Sequence, residues 1–264
     1  MDLKLKDKIA FISGSTAGIG FAIAQRFLQE GAQVIINGRT QEGVDKAVDE
    51  LKASIPNANI TGIAADFSKV DEVNSLISKL PDIDILINNA GIFEPKHFTE
   101  IPDEDWFRFF EVNVMSGVRL ARHCFPKMIQ KNWGRIIFIS SESAVFIPDE
   151  MIHYGMTKTA QIAVSRGLAE LTKGTGVTVN AILPGPTKSK GVGGFIEDLS
   201  KKENKSVSEV EQDFFKTMRP TSLLQRFETV EEIANTTVYF SSPLASGTNG
   251  ASIRVEGGLV RSIL

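Results

Sequence analysis

Two rhythms of apolar positions alternate along the chain. Short apolar-rich runs at 9–12, 34–36, 60–65, 83–87, 136–139, 177–183 and 251–255 have the length and Val/Ile content of buried strands. Between them apolar residues recur every three to four positions, as at Phe21, Ile23, Ala24, Phe27 and Leu28, and at Val44, Ala47, Val48 and Leu51. The same spacing returns at Val70, Val73, Leu76, Ile77 and Leu80. One long helix is expected from 103, carrying Trp106, Phe109, Phe110, Val114, Val118, Leu120, Ala121 and Phe125, and another from about 151 to 172. Pro56 ends the second helix, and Thr229-Val230-Glu231-Glu232 is a capping box that starts a late one. Strands alternating with helices predict an α/β domain on a parallel sheet. No linker, repeat or low-complexity tract divides residues 1–264, so one domain is expected.

The least regular stretch is 188–220. It opens with Gly191, Gly193 and Gly194 and continues with Phe195, Ile196, Leu199, Val207, Val210, Phe214 and Phe215 in a charged background. Glycine hinges before an amphipathic segment suit a substrate lid, with Phe195 the first candidate to line it. A pair of solvated surface helices is the alternative.

Composition narrows the function classes. A hydrophobic content of 42% and a charged content of 23% are those of an ordinary globular domain. The formal net charge of -3 supplies no basic footprint for nucleic acid. Cys124 is the single cysteine, so no intrachain disulfide can form and a reducing compartment is expected. The first residues lack the apolar core of a signal peptide, and no apolar run is long enough to span a bilayer. A cytoplasmic protein with no membrane or nucleic-acid partner is the expectation.

Three stretches carry chemistry. After the first strand comes Ser13-Gly14-Ser15-Thr16-Ala17-Gly18-Ile19-Gly20, where glycines let the backbone approach a pyrophosphate held by the next helix's N–H groups. The second strand ends in Asn37-Gly38-Arg39-Thr40, without the acidic residue that would bind the ribose hydroxyls of NAD. Arg39 can instead hold the 2′-phosphate of NADP, aided by the Ser15 and Thr16 hydroxyls; a solvated loop arginine is the bland alternative. Beyond the 136–139 run lie Ser141 and, twelve residues further, Tyr154-Gly155-Met156-Thr157-Lys158. Tyr154 and Lys158 share one helix face, and an ammonium near a phenol lowers a pKa that starts near ~10. Such a tyrosine can give or take a proton.

Ser141, Tyr154 and Lys158, the Gly14-x-x-x-Gly18-x-Gly20 loop and the tetrapeptide Asn88-Asn89-Ala90-Gly91 together resemble the short-chain dehydrogenase/reductase family over the whole chain. That resemblance implies a Rossmann-like doubly wound parallel seven-stranded sheet of order 3-2-1-4-5-6-7 with helices on both faces. It implies a tetrad of Asn113, Ser141, Tyr154 and Lys158. Tyr154 donates or accepts the proton, Lys158 tunes it and binds the nicotinamide ribose, Ser141 bonds the substrate oxygen, and Asn113 orders a water beside Lys158. The cofactor would lie along Gly14, Ser15, Thr16, Gly18, Ile19, Gly20 and Arg39, then Asn89, Ala90 and Gly91. Asp66 would contact the adenine amine, although capping the next helix is an equal reading. Pro184-Gly185-Pro186-Thr187 would lie against the nicotinamide, and Glu256-Gly257-Gly258 matches the family's usual Asp-Gly-Gly.

The implied activity is hydride transfer between NADP(H), rather than NAD, and a small-molecule carbonyl or alcohol. A 3-oxoacyl carrier-protein reductase and a non-catalytic NADP-binding regulator are the alternatives. Family members pair their long helices between subunits, so a homotetramer is expected, with the apolar tail 259–264 in a second interface. No metal is expected, since His97, His123 and His153 lack ligand spacing and one cysteine cannot build a zinc site. His153 is read as a surface or substrate-rim residue. The absence of Gly-x-Ser-x-Gly removes a hydrolase nucleophile.

Overall fold

β1 (Ile9–Ile12) shows why the apolar runs are continuous rather than alternating. Ala10 and Ile12 point into one buried cluster and Phe11 into another, so both faces of the strand are covered. β4 (Ile85–Asn88), β5 (Gly134–Ile139) and β6 (Val177–Pro184) divide their side chains between the same two cores. With β2 (Gln33–Gly38), β3 (Ile60–Ala64) and β7 (Ser252–Val255) they form one parallel sheet of order 3-2-1-4-5-6-7, as expected. The computed structural model describes residues 1–263, with side chains throughout except at positions 190, 191, 195, 198, 199 and 203.

Helices cover both faces. α1 (Gly18–Gln29), α2 (Gln41–Ser54) and α9 (Val230–Phe240) bury Phe27, Leu51 and Val238 on one side. α3 (Val70–Lys79), α5 (Ser116–Gln130) and α6 (Ile152–Glu170) bury Leu76, Leu120 and Ala169 on the other. The Thr229 capping box forms in full, the hydroxyl accepting from Glu232 N at 3.2 Å and the Glu232 carboxylate from Thr229 N at 2.8 Å. Among the described residues no helix is long and apolar enough to cross a membrane.

Four local expectations are corrected. The helix expected from 103 is broken: α4 (Asp103–Phe110) runs into a π-helical turn at Glu111–Met115 before α5 begins. The wider turn gives the Asn113 carbonyl a partner outside the helix, Gln161 Nε2 at 2.6 Å. His153 is no rim residue; it is fully buried, its ring tilted at 47° to that of Phe109 with centroids 4.1 Å apart, and edge-on to Trp106. Gly193 and Gly194 lie inside α7 (Lys190–Glu203), whose N-cap Ser189 accepts from Val192 N. With α8 (Val207–Thr217) this helix shares a small core of its own, Ile196, Val210, Phe215 and Phe227. The segment is therefore a helical hairpin, as in the alternative reading of a helix pair, and the glycines expected as hinges at 193 and 194 are helical. Phe195, expected to line the substrate, lies outside the described side chains. The tail is partly tied down: Leu259 is buried and its N–H donates to Glu256 Oε2, while Ile263 is exposed. Leu264 lies outside the described residues.

Candidate active site

Because the sheet is parallel, the carboxyl ends of β1, β2, β4, β5 and β6 lie along one edge, and most of the sequence-predicted residues follow them there. The loop after β1 is shaped by contacts that leave no room for side chains. A Cβ on Gly14, where φ is +61°, would lie 2.9 Å from Ala90 Cα, and one on Gly20 would lie 2.5 Å from Asn89 Nδ2. The Asn89 amide donates to the carbonyls of Ser13 (3.0 Å) and Gly14 (2.8 Å), and Ser13 Oγ accepts from the N–H groups of Asn89 and Ala90. Asn89 is thus spent on holding the loop. Ser15, expected as a phosphate donor, is fully buried and gives its proton to Ile12 O at 2.7 Å. α1 begins at Gly18 with no side-chain cap and no acidic residue in its first turn, leaving its N–H groups for an anion. Ile19 lies in that first turn.

A pocket at the ends of β2 and β3 is lined by Thr16, Arg39, Thr40, Gly43, Asp66 and Lys69. Lys69 is a second cation that the sequence reading missed. Asp66 caps its own loop, accepting from Ser68 N at 2.9 Å and Ser68 Oγ at 2.8 Å. Burial raises its carboxyl, but those bonds with Lys69 and Arg39 outweigh it and hold the group below its ordinary value.

Ser141 leaves β5 as the N-cap of a 3₁₀ turn at Glu142–Ala144, accepting from Ser143 N at 3.1 Å. α6 packs onto this strand through Ser140 Oγ, which donates to Lys158 O at 2.8 Å. Lys158 is buried and donates to Ile139 O at 3.0 Å and Gln161 Oε1 at 3.2 Å. An ammonium has three donors, so one remains for the cleft. Asn113 is fully buried; its amide donates to Ile92 O and Thr157 Oγ1, both at 3.0 Å, and its Oδ1 accepts from Ile92 N at 2.7 Å. The Asn113 carbonyl is held by Gln161, which the sequence reading did not single out.

The electrostatics differ from the simple tyrosine–lysine pair. Lys158 Nζ lies 5.6 Å from the Tyr154 ring centroid. Burial and then the Glu142 carboxylate push the phenol up, while a hydrogen bond with Ser141 pulls it down. Burial draws Lys158 down to about 8, against Glu142, which favours the charged ammonium. Lys158 is not among the groups that shift the phenol, and two of its donors are given to Ile139 O and Gln161 Oε1. Glu142 is a further residue the sequence reading passed over: it is buried and accepts from Ser141 Oγ at 2.6 Å. On the far side, Gly185 N donates to Val255 O and to Glu228 Oε2, and Thr187 Oγ1 to Gly185 O.

The "short chain dehydrogenase" family model matches residues 8–199. The chain belongs to this family. It is 52% identical to the uncharacterized oxidoreductase YvrD of Bacillus subtilis, over the full length of both. It is 31% identical to a 3-oxoacyl-[acyl-carrier-protein] reductase, FabG, of Aquifex aeolicus, covering 98% of this chain and all of that protein. Its fold superposes with a TM-score of 0.93 on L-sorbose reductase from Gluconobacter frateurii complexed with NADPH and L-sorbose, at 30% identity and full coverage of both chains. This short-chain dehydrogenase is therefore an oxidoreductase of the nicotinamide-binding kind.

Proposed function

We propose that this oxidoreductase moves hydride between NADP(H) and a carbonyl or alcohol, with Tyr154 as its proton donor and acceptor. The observation that carries this is the packing of α6 against the end of β5, which sets Ser141 near Tyr154 and the buried Lys158, whose Nζ donates to Ile139 O and lies 5.6 Å from the Tyr154 ring. The residues fit the cofactor. The loop before α1 packs too closely at Gly14 to admit a Cβ, the uncapped α1 N-terminus suits a pyrophosphate, and the Arg39–Lys69 pocket suits a 2′-phosphate. The bound nicotinamide supplies or takes the hydride. The chain does the rest. Lys158 directs its remaining donor into the cleft, Asn113 fixes the turn that carries Ile92, and Gly185 and Thr187 form the opposite wall.

The carbonyl lies beside Phe93, which packs edge-on to Tyr154 at 6.3 Å, and beside the exposed Val145, Phe146 and Ile147. This rim favours a substrate with hydrophobic bulk. The FabG likeness keeps 3-oxoacyl thioesters as a second reading. The single, buried cysteine suits the cytoplasm. Exposed Phe107 and Phe110 on α4 support a homotetramer, which light scattering decides.

The test is a panel of acetoacetyl-coenzyme A, a ketohexose, cyclohexanone and benzaldehyde, followed by NADPH absorbance. Tyr154→Phe should keep NADPH binding while turnover falls ~10²-fold or more. Near wild-type turnover in that variant would remove Tyr154 from the chemistry.

A further inference from the structure

Arg219, just past α8, is a buried guanidinium with donors to spare; only 6% of its surface is exposed. A guanidinium carries five N–H donors in a fixed fork. Nη1 spends its two on Glu150 Oε1 at 3.1 Å and Met218 O at 2.8 Å. Nε is buried without a hydrogen-bond partner, and Nη2 makes no hydrogen bond among the described residues. An unmet buried donor on a charged group is destabilising until something completes it. The acceptor that Nε approaches is incomplete too. Glu142 Oε1 stands 3.6 Å away, beyond hydrogen-bond reach, and accepts no other bond among the described residues. Its companion Oε2 accepts from Ser141 Oγ at 2.6 Å. Glu142 also acts electrostatically on Tyr154, Lys158 and Glu228, so the pair borders the reacting end of the site.

We propose that Glu142 and Arg219 are specificity-determining residues that bind a hydroxyl on the carbon next to the substrate carbonyl. This rests on the reductase reading above. A hydroxyl gives and accepts hydrogen bonds at one atom. Its proton goes to Glu142 Oε1 and its oxygen accepts from Arg219 Nε, closing a gap that the two side chains leave open between them. Oε1 is one carboxylate width from the oxygen that holds Ser141. The bridging hydroxyl therefore lies beside the carbonyl oxygen assigned to Ser141, where the neighbouring carbon of an α-hydroxy ketone carries it.

Charge selects a neutral hydroxyl over an anion. Glu142 and Glu150 already offset the guanidinium from two sides, and Glu228 adds a third acid beside Glu142. A substrate carboxylate or phosphate would bring one more negative charge into that group, whereas a hydroxyl uses both members of the pair. The rim of Phe93, Phe146 and Ile147 takes the remainder of the molecule. The substrate class is then a neutral α-hydroxy ketone with an apolar tail.

Three ketones built on one aryl ring test this: 2-hydroxyacetophenone, acetophenone without the hydroxyl, and benzoylformate with a carboxylate in its place. With NADPH, kcat/KM for the hydroxyketone should exceed that for acetophenone by roughly 10- to 100-fold, the range given by hydrogen bonds to charged groups. Because the hydroxyl also activates the carbonyl chemically, the change in that ratio decides. Glu142→Gln and Arg219→Gln should each cut it by about 10-fold, the hydroxyketone losing more than acetophenone. A ratio unchanged in both variants would overturn the proposal. The second measurement needs neither turnover nor a variant. In calorimetric titrations of wild-type protein with NADP present, the hydroxyketone should bind roughly 10- to 100-fold tighter than acetophenone, with benzoylformate no tighter than acetophenone. Equal affinities, tighter binding of benzoylformate, or no binding of the hydroxyketone would overturn it. A wild-type enzyme that oxidises no NADPH with any carbonyl would defeat the reductase reading, and these titrations would still decide what the Glu142–Arg219 pair binds.

Discussion

Gln161 bridges Lys158 to Asn113: its Oε1 accepts from Lys158 Nζ at 3.2 Å, and its Nε2 donates to the Asn113 carbonyl at 2.6 Å. The family resemblance implies that Asn113 orders a water beside the lysine. Here an amide side chain, one helical turn beyond Lys158, makes the link directly. Gln161→Met keeps the length and removes both bonds, leaving a buried ammonium and a buried carbonyl each short of a partner. Bonds to charged groups contribute about 1.5–3 kcal/mol, so denaturant unfolding near neutral pH should show a loss in that range. A loss under about 0.5 kcal/mol would be that of an ordinary surface change and would mean the bridge holds nothing.

How much of this was legible in the sequence follows from where each cause lies. The buried strands and the glycine loop are local: Ala10, Phe11 and Ile12 declare a two-sided strand in three residues, and Gly14 and Gly20 declare a turn without side chains. The sheet order came with the family resemblance. Gln161 was within reach, since i+3 from Lys158 on a helix puts both on one face. Glu142 also left a signal, a carboxylate three residues past the end of an apolar strand. The π-turn at Glu111–Met115 left none, because the apolar spacing continues through it and the partner of Asn113 lies 48 residues away. His153 failed for the same reason, as its cover comes from Trp106 and Phe109.

Arg39 and Lys69 give the pocket proposed for the 2′-phosphate two cations, from the segments that follow β2 and β3. Arg39→Ala should weaken NADP binding by roughly 1.5–3 kcal/mol. Lys69→Ala should act in the same direction but less, because Lys69 is already paired with Glu72 at 2.8 Å. NAD binding should change little in either variant. Isothermal titration with both cofactors decides it, and equal losses for NAD and NADP would take Arg39 out of phosphate recognition.

Glu228 makes stability depend on pH. Burial, opposed by its bond from Gly185 N and reinforced by Glu232, Glu256 and Glu142, raises its carboxyl from 4.5 to about 7. The folded protein therefore binds a proton that the unfolded chain releases between those values. Its contribution is fully present below about pH 4.5 and is lost as pH rises towards 7, by at most about 3 kcal/mol. Glu228→Gln keeps an oxygen for Gly185 N and removes the charge. Its Tm should match wild type in acid and exceed it at about pH 8. A difference that does not vary with pH would mean that Glu228 is not the group responsible.

The α7–α8 hairpin should be the least stable ordered part of the domain and the part that responds to ligand. Among the described side chains its apolar core is Ile196, Val210 and Phe215 with Phe227, with Val192 and Phe214 packed against it, separate from the two large cores on the sheet. α7 has α8 as its principal packing partner. Its two ends, however, touch the site. Ser189, at its start, lies 3.4 Å from where a Cβ on Gly18 would sit, beside the pyrophosphate loop. Arg219, just past its end, pairs with Glu150 and approaches Glu142. A weakly anchored hairpin pinned at both ends to the site is suited to close over a bound ligand. Hydrogen exchange should show 190–217 opening faster than β1, β4 and β5 in the free protein, with protection rising on addition of NADPH. Arg219→Gln should speed exchange of α8 in the free protein, because it releases the Glu150 pairing. Protection as deep as in the central strands, unchanged by NADPH, would make the hairpin fixed scaffold and end the lid proposal.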